Sequence, residues 1–118
     1  MVPTAIDVCK ELQSEGFSVA VSSAHTLKPF DSEFVRREVA RTGVLVTLEE
    51  HVPVGGLLTH VSQSLVGTKD DVRVLGFTLP DDFMHVAGTQ EHLRTLCGLD
   101  VKNIVNRVGG VLRESLRR

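Results

Sequence analysis

The sequence predicts an α/β fold: a three-layer α/β/α arrangement around a small, mostly parallel sheet. Short runs of β-branched and aliphatic residues alternate along the chain with segments whose apolar residues recur at helical spacing. Gly, Pro and Asp punctuate the boundaries between the two kinds of segment. The stretch VLVTLEEHVPVGG, Val44 to Gly56, reads as a buried strand that ends in polar residues and turns at a glycine pair into a helix. Strands separated by helices are joined by right-handed crossovers, and such crossovers make the sheet parallel.

The elements follow in order. Pro3 suits a first helical turn, and Ala5, Cys9 and Leu12 give that helix one apolar face. Gly16 follows as its C′ residue. Phe17 to Ser23, FSVAVSS, reads as a first strand. Ala24 to Phe30 is a loop, because Pro29 disfavours helix at the residue before it. Asp31 is the expected N-cap of the next helix, with Glu33 in its first turn, the stripe Phe34, Val35 and Val39, and Gly43 at its end. The second strand runs from Val44 to Glu49 or Glu50. After Gly55-Gly56, Leu58, Val61 and Leu65 keep helical spacing until Gly67. The polar turn Thr68-Lys69-Asp70-Asp71 leads into a third strand, Val72 to Phe77, which Pro80-Asp81-Asp82 breaks off. Thr89 caps a short helix ending at Gly98, and Asp100 caps a last one with Val101, Val105, Val108 and Leu112 on its apolar stripe. Gly109-Gly110 interrupts that stripe at about 1 kcal/mol per glycine relative to alanine. Three strands are few for a parallel sheet, which is normally covered on both faces and at its edges. The strands at Val19 and Val46 are therefore expected either to pair directly or to leave open edges through which copies of the chain associate.

At 118 residues the chain is a single domain, residues 1–118, and its 42% hydrophobic and 24% charged content is that of an ordinary globular protein. A formal net charge of −2 gives no electrostatic case for nucleic acid or an anionic membrane surface. No apolar run approaches the roughly 20 residues that span a bilayer. Met1-Val2-Pro3-Thr4 has neither a basic region nor an apolar signal core, so the expected location is cytoplasmic. Cys9 and Cys97 are then expected as reduced thiols. Tryptophan and tyrosine are absent, which removes the usual aromatic anchors, although Phe30 and Phe34 remain.

The residues with chemistry gather after the second strand. Glu49 and Glu50 point to opposite faces of a strand, so they cannot be a carboxylate pair sharing one proton. One of them could cap a helix or orient His51; the plainer alternative is a polar strand end, solvated or paired across a subunit interface. Gly55-Gly56 could seat an anion at a helix N-terminus, but the wider spacing of a dinucleotide or P-loop motif is missing, and tight helix-strand packing is the commoner reason for such a pair. Glu50, His51, Gly55 and Gly56 are thus the candidate interface or anion site. The five histidines show no metal-binding spacing and the two cysteines form no CxxC. His92 and Cys97 fall on different faces of a short helix, and Asp81-Asp82 reads as a solvated turn. No catalytic, cofactor-binding or metal-ligating residue is assigned from chemistry alone.

Four stretches, in order, resemble the C-terminal domain of the transketolase family, which includes transketolase, 1-deoxyxylulose-5-phosphate synthase and the β subunit of 2-oxoacid dehydrogenases. VSSAHTLKPFD (Val21 to Asp31) is similar to the family's strand and its Lys-Pro-hydrophobic-Asp loop. VLVTLEEHVPVGG resembles its strand, its Glu-Glu-His or Glu-Glu-Asn end and its Gly-Gly helix start. VRVLGFTLPDDFMHVAG (Val72 to Gly88) resembles its last strand and Gly-x-Pro-Asp-x-Phe turn, with Thr78 and Leu79 as extra residues. LRTLCGLDVKNIVNRV (Leu93 to Val108) resembles its closing helix. The resemblance implies a non-catalytic C-terminal domain or subunit of an enzyme that uses thiamine diphosphate and Mg²⁺ to transfer two-carbon ketol or related units. The cofactor would be held by other domains or subunits of that enzyme, this chain's implied partners, and the assembly would be a homo-oligomer. The family domain begins with a strand that has no counterpart before the first helix here. A fragment, a truncated gene product and a piece completed by another chain all remain open. A second reading makes the chain a free-standing regulatory module that binds an anion or metabolite beside Glu50, His51 and the glycine pair, with Lys28 as the local cation.

Overall fold

The computed structural model describes residues 1–69 and 71–118; Asp70, in the expected polar turn, lies outside the described residues. The elements are α1 (Val2–Ser14), α2 (Ser32–Thr42), β1 (Val44–Leu48), α3 (Leu57–Ser64), β2 (Arg73–Phe77), α4 (Gln90–Leu96) and α5 (Val101–Leu116). They fall into two compact units, Ala24–Leu79 and the pair of segments Met1–Ser23 and Pro80–Arg118.

In the unit Ala24–Leu79, β1 and β2 pair in parallel with Val44 opposite Arg73 and Leu48 opposite Phe77. The ladder extends at both ends, where Arg73 N–H donates to the Gly43 carbonyl at 3.0 Å and Glu49 N–H to the Phe77 carbonyl at 3.0 Å. The connection between them is α3, as a parallel pair requires. Asp31 caps α2 by accepting from Phe34 N–H, and Gly43 ends it at φ 70°, a left-handed turn that glycine takes without a Cβ penalty. Val35 and Val39 of α2 and Val61 of α3 form the buried centre, with Leu45, Val72 and Val74 packed against it. Side chains alternate along a strand, so Leu45, Thr47 and Glu49 share the face turned to the helices. Gly76 lets α3 approach β2, because a Cβ there would stand 2.5 Å from Leu58 Cδ2. Arg36 Nε donates to the Ser64 carbonyl at 2.7 Å and ties α2 to the end of α3.

In the other unit, α1 packs on α5. Its buried apolar side chains are Val8 and Leu12 of α1, Leu99, and Ile104 and Val108 of α5. Ile104 is fully buried at 0% exposure, although the sequence stripe passed it over. Val101, Val105 and Leu112 of that stripe are half-buried, so the stripe marks one side of a wider buried arc. The helix runs unbroken through Gly109-Gly110. Gly109 is buried with the Arg113 guanidinium laid over it, 3.1 Å from where a Cβ would be. Arg113 then reaches Glu15 at the end of α1, 3.1 Å away.

Phe17 to Ser23 is not a strand. Among the described residues the sheet has two strands rather than three, and the direct pairing expected between the Val19 and Val46 segments does not form. The Val19 carbonyl accepts instead from side chains of α1, Gln13 Nε2 at 3.1 Å and Cys9 Sγ at 3.4 Å.

Asp100 caps α5 by accepting from Asn103 N–H. The Asn103 side-chain amide also donates to it, and these bonds hold its carboxyl below the ordinary value of 3.8 against the opposing effect of burial. A depressed native pKa means that the stabilisation is present in full above the ordinary value and lost as pH falls through the folded one. Asp100→Ala is expected to cost about 1 kcal/mol at neutral pH. Urea titrations across pH should show the gap between wild type and variant closing in acid, starting near 3.8.

Candidate functional site

The corner at the carboxyl end of β1 is built around Glu49, which is 9% exposed. Its Oε1 accepts from Leu57 N–H at 3.0 Å and its Oε2 from Leu58 N–H at 2.7 Å. The first N–H groups of a helix have no partner within it, and negative charge is favoured there by the helix dipole. The N-cap residue, Gly56, has no side chain with which to cap, so the strand supplies the cap from outside the helix.

The glycine pair makes room for this. A Cβ on Gly56 would overlap Glu49 Oε1 and would lie 2.9 Å from His51 Nδ1. Gly55 has φ 86°, in the left-handed region that side chains disfavour. Its N–H donates to Thr59 Oγ1 at 2.8 Å, and that hydroxyl donates to the Pro53 carbonyl at 3.2 Å. The turn is therefore tied to the first turn of α3.

His51 lies on the open side of the corner, with a side chain 51% exposed and Nδ1 3.9 Å from Glu49 Oε1. Nδ1 also lies 2.8 Å from the Val52 carbonyl. The His51 carbonyl accepts from Leu79 N–H at 2.9 Å, joining the corner to the segment that follows β2.

The structure thus brings together three of the four sequence-derived site residues, His51, Gly55 and Gly56, around a carboxylate left out of that set. Glu50 is exposed on the opposite strand face. Strand alternation from Leu45 held the sign that Glu49 faces the helices, once the packed face is known. The polar end of β1 and a helix N-terminus meet here, yet Leu57 N–H and Leu58 N–H are both taken by Glu49. An external phosphate would have to displace a buried carboxylate from both.

The remaining histidines do not converge. The His60 ring is 5.4 Å from that of Phe30, and His25 bonds its neighbour Thr26. Among the described residues no group of three or more His, Cys, Asp or Glu is placed to hold a metal ion. Cys9 and Cys97 are free thiols. Thr47 Oγ1, on the helix-facing side of β1, is buried without a hydrogen-bond partner among the described residues. No described helix is long and apolar enough to cross a membrane.

Architecture and corner together define a small α/β domain. The model of the family Transketolase, C-terminal domain matches residues 1–104, and the chain belongs to that family. It is 43% identical over 108 residues to 1-deoxy-D-xylulose-5-phosphate synthase of Syntrophotalea carbinolica, covering 86% of this chain and 17% of that protein. The synthase of Desulforudis audaxviator is 36% identical over 118 residues, 99% of this chain and 18% of that one. The 6-deoxy-6-sulfo-D-fructose transketolase subunit SqwH of Clostridium sp. (strain MSTE9) is 35% identical, with 89% of this chain and 32% of that subunit covered. Among solved structures, a split-gene transketolase described as an inactive beta4 tetramer superposes with a TM-score of 0.83 at 30% identity, covering 94% of this chain and 36% of that one. The chain therefore spans less than a fifth of the length of the two synthases, at 17% and 18%.

The corner does not fit the pyrophosphate of thiamine diphosphate, and among the described residues no group of three or more His, Cys, Asp or Glu could hold its metal. The corner's helix N-terminus, where a pyrophosphate would sit, is filled by the chain's own carboxylate.

Proposed function

We propose that the chain is a non-catalytic C-terminal domain or subunit of a cytoplasmic, thiamine-diphosphate-dependent enzyme of transketolase type, one that transfers two-carbon ketol or related units. Thiamine diphosphate and Mg²⁺ belong to the complete enzyme and are held by polypeptide outside this sequence. The partners are those cofactor-binding domains or subunits, within a homo-oligomer, and the exposed His51 beside the Gly55-Gly56 turn and the exposed Glu50 on the opposite strand face offer them separate polar contacts. The observation that carries this reading is the Glu49 cap: the corner at the carboxyl end of β1, where a ligand would meet a helix N-terminus, is closed from within. The cap equally weighs against a free-standing anion-binding module.

The test is a chimera in which this chain replaces the matching segment of the Syntrophotalea synthase. Synthase activity is expected in the chimera and absent when the segment is simply deleted. A chimera no more active or better assembled than the deletion would contradict the proposal.

A further inference from the structure

Residues 78–89 form neither helix nor strand, and every residue from Pro80 to Gln90 is exposed. Within that run Phe83 is 87% exposed, Met84 45% and Val86 51%. Single exposed apolar residues are ordinary, whereas a phenylalanine, a methionine and a valine exposed within four positions concentrate apolar surface in one segment. The segment is held at both ends. Leu79 N–H bonds the His51 carbonyl at 2.9 Å, and Gly88 lies so close to the His92 ring of α4 that a Cβ would stand 2.8 Å from His92 Cδ2. Phe83 N–H donates to Asp82 Oδ1 at 2.7 Å, which shapes the turn just before the apolar residues.

We infer that this segment is a docking element whose occupant is the cofactor-binding portion of the transketolase-type enzyme. Phe83 is its anchor, with Met84 and Val86 beside it, and it fits an apolar pocket rimmed by Lys or Arg. Two observations select that occupant. The chain spans 17% of the Syntrophotalea synthase, so most of such an enzyme lies outside it and must meet it somewhere. Asp81 and Asp82 sit directly before the apolar residues, and adjacent carboxylates favour a cationic rim over an apolar or acidic one. Methionine adapts to an irregular pocket, and a phenylalanine seated in one is the kind of residue that dominates an interface. The inference rests on the proposed function and names the surface through which it works.

The experiment uses the 118-residue chain and the synthase chimera, each with and without Phe83→Asp. The sequence has two methionines, so Met1 is an internal reference for mild peroxide oxidation of Met84, followed by peptide mass spectrometry. Met84 is expected to oxidise roughly tenfold more slowly in the chimera than in the free chain, because susceptibility follows exposure. Phe83→Asp should abolish that protection and lower the chimera's melting temperature while leaving the free chain's unchanged. An active chimera whose Met84 oxidises as fast as in the free chain, with no response to Phe83→Asp, overturns the docking surface and leaves the proposed function standing. A chimera that neither assembles nor works overturns both.

Discussion

Glu49→Ala is expected to destabilise the chain by about 2–4 kcal/mol, the largest effect of any single side-chain truncation at the candidate site. The substitution leaves Leu57 N–H and Leu58 N–H without their acceptor and removes a carboxylate from the N-terminus of α3. Bonds to a charged group contribute roughly 1.5–3 kcal/mol each, and water entering from the His51 side recovers part of the loss. Glu49→Gln should recover less than half, since it retains one acceptor oxygen and turns an NH₂ group toward a backbone donor. Urea denaturation of the three proteins measures this directly. A loss below about 1 kcal/mol for Glu49→Ala would show that the cap is incidental.

Gly56→Ala should be nearly as damaging, for a reason that resides in Glu49. Gly56 sits at φ −95° and ψ −158°, extended backbone that alanine adopts without strain. The added methyl instead takes the space of Glu49 Oε1 and forces the carboxylate off its two donors. His51 Nδ1, 2.9 Å from the same point, belongs to a half-exposed side chain that can rotate away. The expected loss is about 2–3 kcal/mol in the wild type and under about 1 kcal/mol in the Glu49→Ala background, a coupling of about 2 kcal/mol in a double-mutant cycle. Additive losses would mean that the glycine is required for something other than the carboxylate.

The legible parts of this chain are those decided locally. Asp31, Thr89 and Asp100 were readable as N-caps because a cap is a side chain bonding an N–H a few residues on, and each does so. The strands at Val44 and Val72 were readable from their β-branched runs and the glycine-led helix between them. What was not legible depends on partners distant in sequence. FSVAVSS has the composition of a strand, but a strand exists only when a neighbour accepts its ladder, and the Val19 carbonyl is already engaged by α1. The choice of Glu50 over Glu49 for the site turned on which strand face meets the helices, and that was fixed by the packing of Leu45 against Val35, Val39 and Val61. Ile104 was missed because a regular stripe of valines drew the helix face to one side of its centre. The family resemblance, by contrast, rested on four ordered stretches, and its class, transketolase C-terminal, is the one the comparisons show.

This chain closes the N-terminus of α3 with its own carboxylate, and in the proposed function it leaves thiamine chemistry to other polypeptide. Isothermal titration of the isolated chain with thiamine diphosphate in the presence of Mg²⁺ tests that most directly. No saturable heat beyond dilution is predicted, whereas a saturable site with a dissociation constant in the micromolar range would contradict it.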